Sequence, residues 1–480
     1  MCTTEYNKTP LFMKVLCNAL DPFDYNDDDI FKEAELPLDL SAGSILGHLC
    51  NVLSLLPIEK QMLMNVVKTL PPDVQLTKEY VEKTKKLSFE HLVILLTSEG
   101  NWKDLAAQFL ITFPLFNSPK YLLACLFARY FTNYNSSLAN LSSLAELEQT
   151  RKRVITFMIM WMSLAPFYFN ETLLNAIQVF YNMVSIGHLS EAEKIMITSL
   201  SNQMAIMNQT VVDDLTSLML KTCDTKMLGP KSTFPVLQKT HPQQVALQIA
   251  LQDSLIFGAI SPRDVIACIG GQLTAKNSPS ISYLQEHFDT LSHFVAFSVI
   301  FEREVKVRAS VFIMWVNILF ELRKINDFSG MFSIYSGITH PSVERLKSTI
   351  EEAWKSMGPK IKREFETIKN ICSFNNNFHG YRQAVLISHP PCVPFFGCFQ
   401  KDWVYFQEMN EFHTNDNKID IPTIGKAHEL YAAVQKYQKV KYEIREDIQI
   451  QRILFNISKD LPDSTKLMQI SALQETMYNR

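Results

Sequence analysis

Glycine is scarce, 14 in 480 residues, and the Asn-Gly and Asp-Gly pairs that close tight hairpins are lacking. A sheet-rich fold needs such turns at regular spacing, so the sequence speaks against one. There is no excess of positive charge, since 46 Lys and Arg face 49 Asp and Glu. That balance leaves no electrostatic footprint for a nucleic-acid partner. The nine cysteines are scattered, odd in number and without a Cys-x-x-Cys pair, so neither a zinc site nor a disulfide framework is expected. Also missing are a Gly-x-Gly-x-x-Gly loop, a Walker-type loop, a His-Glu-x-x-His pair and a Gly-x-Ser-x-Gly elbow, which leaves a metabolic enzyme with little support. Gly270-Gly271 alone reads as a turn. The longest apolar run, Val154 to Tyr168, is 15 residues with Pro166 near its end. A bilayer-spanning helix needs about 20, so the run reads as a buried helix and no transmembrane segment is expected. The first residues lack a signal-peptide layout and the last four, Met-Tyr-Asn-Arg, are not a prenylation box, which points to the cytoplasm.

What is present is helix. The chain is 47% hydrophobic, enough for sizeable cores, and its apolar residues recur at i, i+3, i+4 and i+7 over long segments. Leu122, Leu123, Leu126, Phe127 and Tyr130 form one such stripe, and Val311, Trp315, Ile318, Leu319 and Leu322 another. Both read as core packing in an all-α protein. Breakers divide the chain into an N-terminal helical extension with an acidic linker (1–84), a helical unit (85–225), a Pro- and Gly-bearing linker (226–240) and a larger helical unit (241–475). Within the extension, Asp24, Asn26, Asp28 and Glu35 mimic a calcium-loop spacing, yet Asp29 stands where the turn needs glycine and Lys32 adds opposing charge. A solvated acidic stretch is the better reading.

The most informative segment is 390–410. Pro390, Pro391 and Pro394 fix φ and remove backbone donors, so a helix there starts near Phe396 or Gly397. On that helix Val404 and Glu408 lie four apart and share a face, an aliphatic side chain one turn below a carboxylate.

In the order of the chain stand Lys86 to Thr97, Phe109 to Leu123 with Arg129-Tyr130, then His241-Pro242, Phe288 to Val295, Arg308, Asn326-Asp-Phe-Ser-Gly330, Val343-Glu-Arg-Leu346, Tyr381-Arg382, the proline elbow, Glu408, Asn410 and Tyr437-Gln438. Together they resemble the guanine nucleotide exchange factors of Ras-family GTPases, with an exchanger-motif domain ahead of the catalytic domain. The resemblance implies an all-α protein in which a helical exchanger-motif domain packs on a larger catalytic domain with a protruding helical hairpin. It further implies a Ras-like small GTPase of Ras, Rap or Ral type as partner, no cofactor or metal, and recruitment to membrane through the lipidated substrate.

A GTPase grips its nucleotide through a phosphate loop and a bridging magnesium ion. By the resemblance, Glu408 competes for the phosphate-loop donors and Val404 denies space to the cation. Pro394, Phe395, Phe396 and Gly397 would support the hairpin. A face for the GTPase would comprise Asp289, Phe332, Tyr335, Ile338, Thr339, Glu344, Asn377, Phe378, Asp402, Tyr405 and Asn410. Met409 stands where the family usually has glycine, Thr339 where it often has Asn, and Glu344 and Tyr405 replace residues of other chemistry. The alternative is a non-catalytic helical adaptor that binds a GTPase or scaffold without emptying it.

Overall fold

A computed structural model describes residues 42–61, 63, 85–100, 102–131, 141–186, 191–207, 230–274, 276–410, 418–457 and 461–478. The acidic stretch with its calcium-loop spacing at 24–35 lies outside the described residues.

The N-terminal part runs α1 (Ala42–Val52), β1 (Lys86–Ser88), α2 (Phe89–Leu96), α3 (Lys103–Thr112), a 3-10 turn (Phe113–Leu115), α4 (Pro119–Phe131), α5 (Leu141–Leu164), a second 3-10 turn (Pro166–Tyr168), α6 (Glu171–Ile186) and α7 (Glu191–Met207). The apolar run from Val154 stays helical to Leu164 and breaks before Pro166, with Trp161, Met162 and Ala165 buried. Proline cannot donate the bond that would carry the helix further.

The C-terminal part runs α8 (Pro230–Lys239), α9 (Pro242–Gly258), α10 (Pro262–Ile269), α11 (Pro279–Phe301), α12 (Val305–Lys324), α13 (Phe328–Ile338), α14 (Pro341–Glu344), α15 (Lys347–Ser356), α16 (Pro359–Ile371), α17 (Asn375–Leu386), α18 (Phe396–Met409), β2 (Lys418–Asp420), α19 (Ile421–Gln438), α20 (Ile448–Asn456) and α21 (Ser464–Tyr478). Prolines start α9, α10, α11, α14 and α16 at their first turn, where the missing N–H costs nothing and the fixed φ already suits a helix. The segment expected as a linker is mostly the helix α8, whose Phe234 and Leu237 are buried, Phe234 against Phe294 of α11. Its apolar spacing outweighs its prolines and its neighbouring Gly229. Arg308 is a structural residue: fully buried, it donates to Thr349 Oγ1 at 2.9 Å, to the carbonyls of Glu302 and Arg303 at 3.2 and 2.6 Å, and to Gln474 Oε1 at 3.3 Å.

Among the described residues two hydrophobic cores stand out, and their boundary does not follow the chain. One gathers α8, the first half of α9, α11 to α13 and α20. The other joins the N-terminal helices to α10 and to Phe396, Trp403 and Phe406 of α18 and Ile424, Ala427, Tyr431 and Val434 of α19. A two-stranded antiparallel ladder clasps the same parts, pairing Lys86 with Asp420, Leu87 with Ile419 and Ser88 with Lys418. Ile421 extends it by donating to the Lys85 carbonyl at 2.9 Å. Among the described residues no single helix is long and apolar enough to cross a membrane.

Candidate functional site

The elbow is built as its prolines demand. Asn326, at φ 60°, reaches back so that its side-chain amide donates to the His389 carbonyl at 3.0 Å. Val393 then donates to the Asn326 carbonyl at 3.1 Å and accepts from Phe328 N–H at 2.8 Å. Asp327 caps α13, its Oδ1 accepting from Gly330 N–H at 3.0 Å. The elbow is therefore sewn to the start of α13 before α18 begins at Phe396.

An aromatic stack sets the departure angle of α18. The Phe395 ring lies parallel on Phe332 with centroids 4.0 Å apart, and Phe288, Phe378 and Tyr381 surround it at 5.8, 5.9 and 6.1 Å. Phe395 N–H donates to the Tyr381 hydroxyl at 2.9 Å. Gly397 is needed because a Cβ there would stand 2.6 Å from the Phe395 ring. Pro394 is buried beside the stack, and Phe396 sits edge-on to Trp403 at 5.3 Å in the other core. Aromatic contacts of this kind add about 0.5–1.5 kcal/mol each beyond area burial.

With Trp403 and Phe406 facing inward, the opposite side of α18 is left to solvent. Val404 is 50% exposed, Tyr405 63% and Met409 64%, and Glu408 is exposed beside them. Asn410 ends the helix, its amide donating to the Phe406 carbonyl at 2.7 Å while its oxygen lies 3.5 Å from Lys426 Nζ of α19.

The other residues expected to meet a GTPase fall into separate groups. Tyr335 and Thr339, half-buried, and exposed Glu344 share the α13–α14 corner, where burial raises the Tyr335 phenol. Asn377 and Asp402 are brought together by Arg382. Its guanidinium is bidentate on the Asp402 carboxylate at 2.6 and 3.1 Å, and its Nε donates to the Asn377 carbonyl at 2.9 Å. Asp402 in turn holds Arg382 more firmly charged than an ordinary guanidinium. Asp289 is exposed on α11, next to Phe288 of the stack.

Phe332, Ile338 and Phe378 are placed otherwise than expected. All three are buried, Phe332 and Phe378 under the stack and Ile338 in the second core, so they support the face rather than line it. The sequence reading also passed over the latch role of Arg382 and the half-buried Gln407. It missed exposed Phe374, Leu386 and Ile387 as well, at 67%, 77% and 71%, which flank or end α17. A polar residue at an inward register of an amphipathic helix was the available signal for Gln407, and the run Asn375-Asn376-Asn377 the signal for a break. Asn376, Asn377 and Phe378 all take left-handed φ between 48° and 58°. Asn tolerates that region, whereas Phe is held there by its packing.

Burial pushes the thiols of Cys392 and Cys398 up to about 12 and about 11, away from the thiolate form a nucleophile or metal ligand needs. Among the described residues no group of three His, Cys, Asp or Glu side chains is arranged for a metal ion.

Comparison with known proteins places this architecture. Residues 244–423 match the RasGEF domain and residues 83–180 the RasGEF N-terminal motif. The chain is similar to Ras guanine nucleotide exchange factor P of Dictyostelium discoideum, 24% identical over 384 residues, covering 77% of this chain and 25% of that protein. It is similar to Ras guanine nucleotide exchange factor J of the same organism, 27% identical over 386 residues, covering 78% and 46%. Ras-specific guanine nucleotide-releasing factor 1 of Rattus norvegicus is 24% identical over 235 residues, covering 47% and 18%. The chain thus spans less than half the length of each of these relatives.

Proposed function

The chain belongs to the RasGEF family, carrying its N-terminal motif ahead of its catalytic domain, and we propose that it accelerates GDP release from a Ras-like small GTPase by inserting α18, braced by α19, into the nucleotide site. One observation carries the reading. Val404 and Glu408 face solvent one turn apart on a helix whose other face is fixed in a core shared with the N-terminal motif. A rigid wedge retains binding energy that a flexible one would lose to ordering.

In this reading Glu408 occupies the donors that otherwise hold phosphate, and Val404 fills the place of magnesium and its waters. Because the exchanger binds the empty GTPase more tightly than the loaded one, it weakens nucleotide binding by the same factor by which nucleotide weakens its own. No covalent bond changes, and the cellular GTP:GDP ratio sets the direction. The exchange takes place in the cytoplasm, at the membrane face where lipidated GTPases reside.

The test is release of a fluorescent GDP analogue from a panel of Ras, Rap and Ral GTPases. Acceleration of at least one is expected, falling at least tenfold in a Val404→Ala, Glu408→Ala protein, an effect of about 1.4 kcal/mol or more on the barrier. Undiminished acceleration by the double variant would remove the mechanism. The second reading, an adaptor that binds without emptying, draws on Met409, whose exposed side chain stands at the wedge tip where the family usually has glycine. Stable binding to the loaded GTPase with unchanged release would establish it.

A further inference from the structure

We propose that Gln407 is a positioning residue, tying the last turn of α18 to the end of α10 and so passing the placement of the N-terminal motif on to Val404 and Glu408. The inference rests on the exchange reading above. Gln407 Nε2 donates to the carbonyls of Cys268 at 2.8 Å and Ile269 at 3.2 Å. These belong to the last turn of α10, which carries the negative end of the helix dipole; the Cys268 carbonyl also accepts from Gly271 N–H at 3.0 Å, so the Gln407 amide is a second donor to it and the donor to Ile269. An amide donor suits that place, and a carboxylate does not.

The other side of the same helix end is held by the N-terminal motif. Leu115, in the 3-10 turn after α3, lies so close to Gly270 that a Cβ there would stand 3.0 Å from its Cδ2. Gly271 follows at φ 77°, a conformation that favours glycine, and a Cβ on it would sit 3.5 Å from Gln407 Oε1. The Gly-Gly pair, a bare turn in the sequence, is thus the point where Leu115 and Gln407 grip one helix end from two sides.

The device recurs on the second hairpin helix. Gln438 of α19 donates to the carbonyls of Phe257 at 2.9 Å and Ile260 at 3.1 Å, at the end of α9. Both helices of the wedge are fastened by a glutamine amide to the carbonyl end of a neighbouring helix. Gln407 has the closer leverage, being next to Glu408 and one turn from Val404.

The test compares Gln407→Met, which keeps length and loses the donor, with Gln407→Glu, which sets a carboxylate against two carbonyl oxygens. Exchange is measured on the responsive GTPase, alongside amide hydrogen exchange of residues 404–410 in the free full chain. Maximal exchange rate is expected to fall about tenfold in Gln407→Met, which takes the amide donor from the Ile269 carbonyl and the second donor from Cys268, and further in Gln407→Glu, which opposes both carbonyls with a charge. The GTPase concentration at half-maximal rate should stay within about twofold, because much of the expected docking face, at Asp289, Tyr335, Thr339, Glu344 and Asn377, lies off α18. Amide exchange of the last turn should quicken in both variants, and the loss in a Leu115→Ala, Gln407→Met protein should be less than the product of the single losses. Wild-type rates in both variants, equal losses in both, or unchanged amide exchange would overturn the proposal. A wild-type chain that accelerates no GTPase removes the exchange reading instead, and the amide-exchange measurement still decides whether Gln407 holds the turn.

Discussion

Removing one oxygen tests whether the elbow is as stiff as its contacts imply. Tyr381 is buried, and its hydroxyl accepts the Phe395 N–H at 2.9 Å at the residue that caps α18. Tyr381→Phe leaves the ring against Phe328 and Phe332, both 5.5 Å away and edge-on, so the packing survives. What is lost is the acceptor for a backbone donor on a half-buried residue. An orphaned buried N–H costs about 1–3 kcal/mol, and the middle of that range applies because the rest of the stack stays in place. In a unit of 150–250 residues each ~1 kcal/mol lowers the melting temperature by about 2–4 °C. A fall of about 4–8 °C is therefore expected in thermal unfolding of the full chain followed by tryptophan fluorescence. Maximal exchange should drop severalfold as α18 loses its fixed angle. A melting temperature within 1 °C of wild type, on the same ~2–4 °C per kcal/mol scale, would show that the hydroxyl does not hold the elbow and refute the reasoning.

Two further perturbations probe neighbouring devices. A double-mutant cycle on Arg382→Ala and Asp402→Ala in urea unfolding should return a coupling of only about 0.5–1 kcal/mol, because both side chains of this bidentate pair are about a third exposed, at 37% and 34%; a coupling above about 2 kcal/mol would mean the latch is far better shielded than it looks. Asp327 is pushed well up by burial and then by the facing carboxylate of Asp253, and the Oδ2 atoms of both stand against Gly330 without a hydrogen-bond donor, an arrangement that predicts a proton held between them. A raised carboxyl contributes stability that is complete below the ordinary Asp value of about 3.9 and is lost as pH rises through its folded value. Asp327→Asn keeps an acceptor for Gly330 N–H and brings its own donor, so urea unfolding followed from about pH 3.9 upward should show its stability gaining on wild type as pH rises; parallel curves would mean that no proton is held there.

Local features of the fold were readable because they are written in consecutive residues. The stripes at 122–130 and 311–322 are buried, and α18 begins at Phe396 as its prolines dictate. Even so, the first stripe understates its helix: every residue from Tyr121 to Phe131 is buried, Arg129 included, so α4 is an interior helix rather than an amphipathic one. A stripe shows which side is apolar, and charged or small residues on the other side conceal how much is covered. For α8 the error ran the other way, since breaker residues read as linker where Phe234 and Leu237 anchor a helix.

The parts of the site that escaped the sequence are those made by residues far apart in it. Leu87 and Ile419 are paired across more than three hundred positions, and no turn dipeptide announces a ladder whose strands are not joined by one. Gln407 meets Cys268 across 139 positions, and Gln438 meets Phe257 across 181. Division of the chain by breakers assumes that each segment finds its core within itself, yet α10, α18 and α19 share theirs with the N-terminal helices. That sharing has a physical consequence for the wedge. A helical pair held by one small contact would tilt with every side-chain rearrangement, whereas a pair whose apolar faces complete another unit's core can move only by opening that core. The N-terminal motif therefore acts on the candidate site through packing, and any perturbation that loosens it should be felt first at the exposed face of α18.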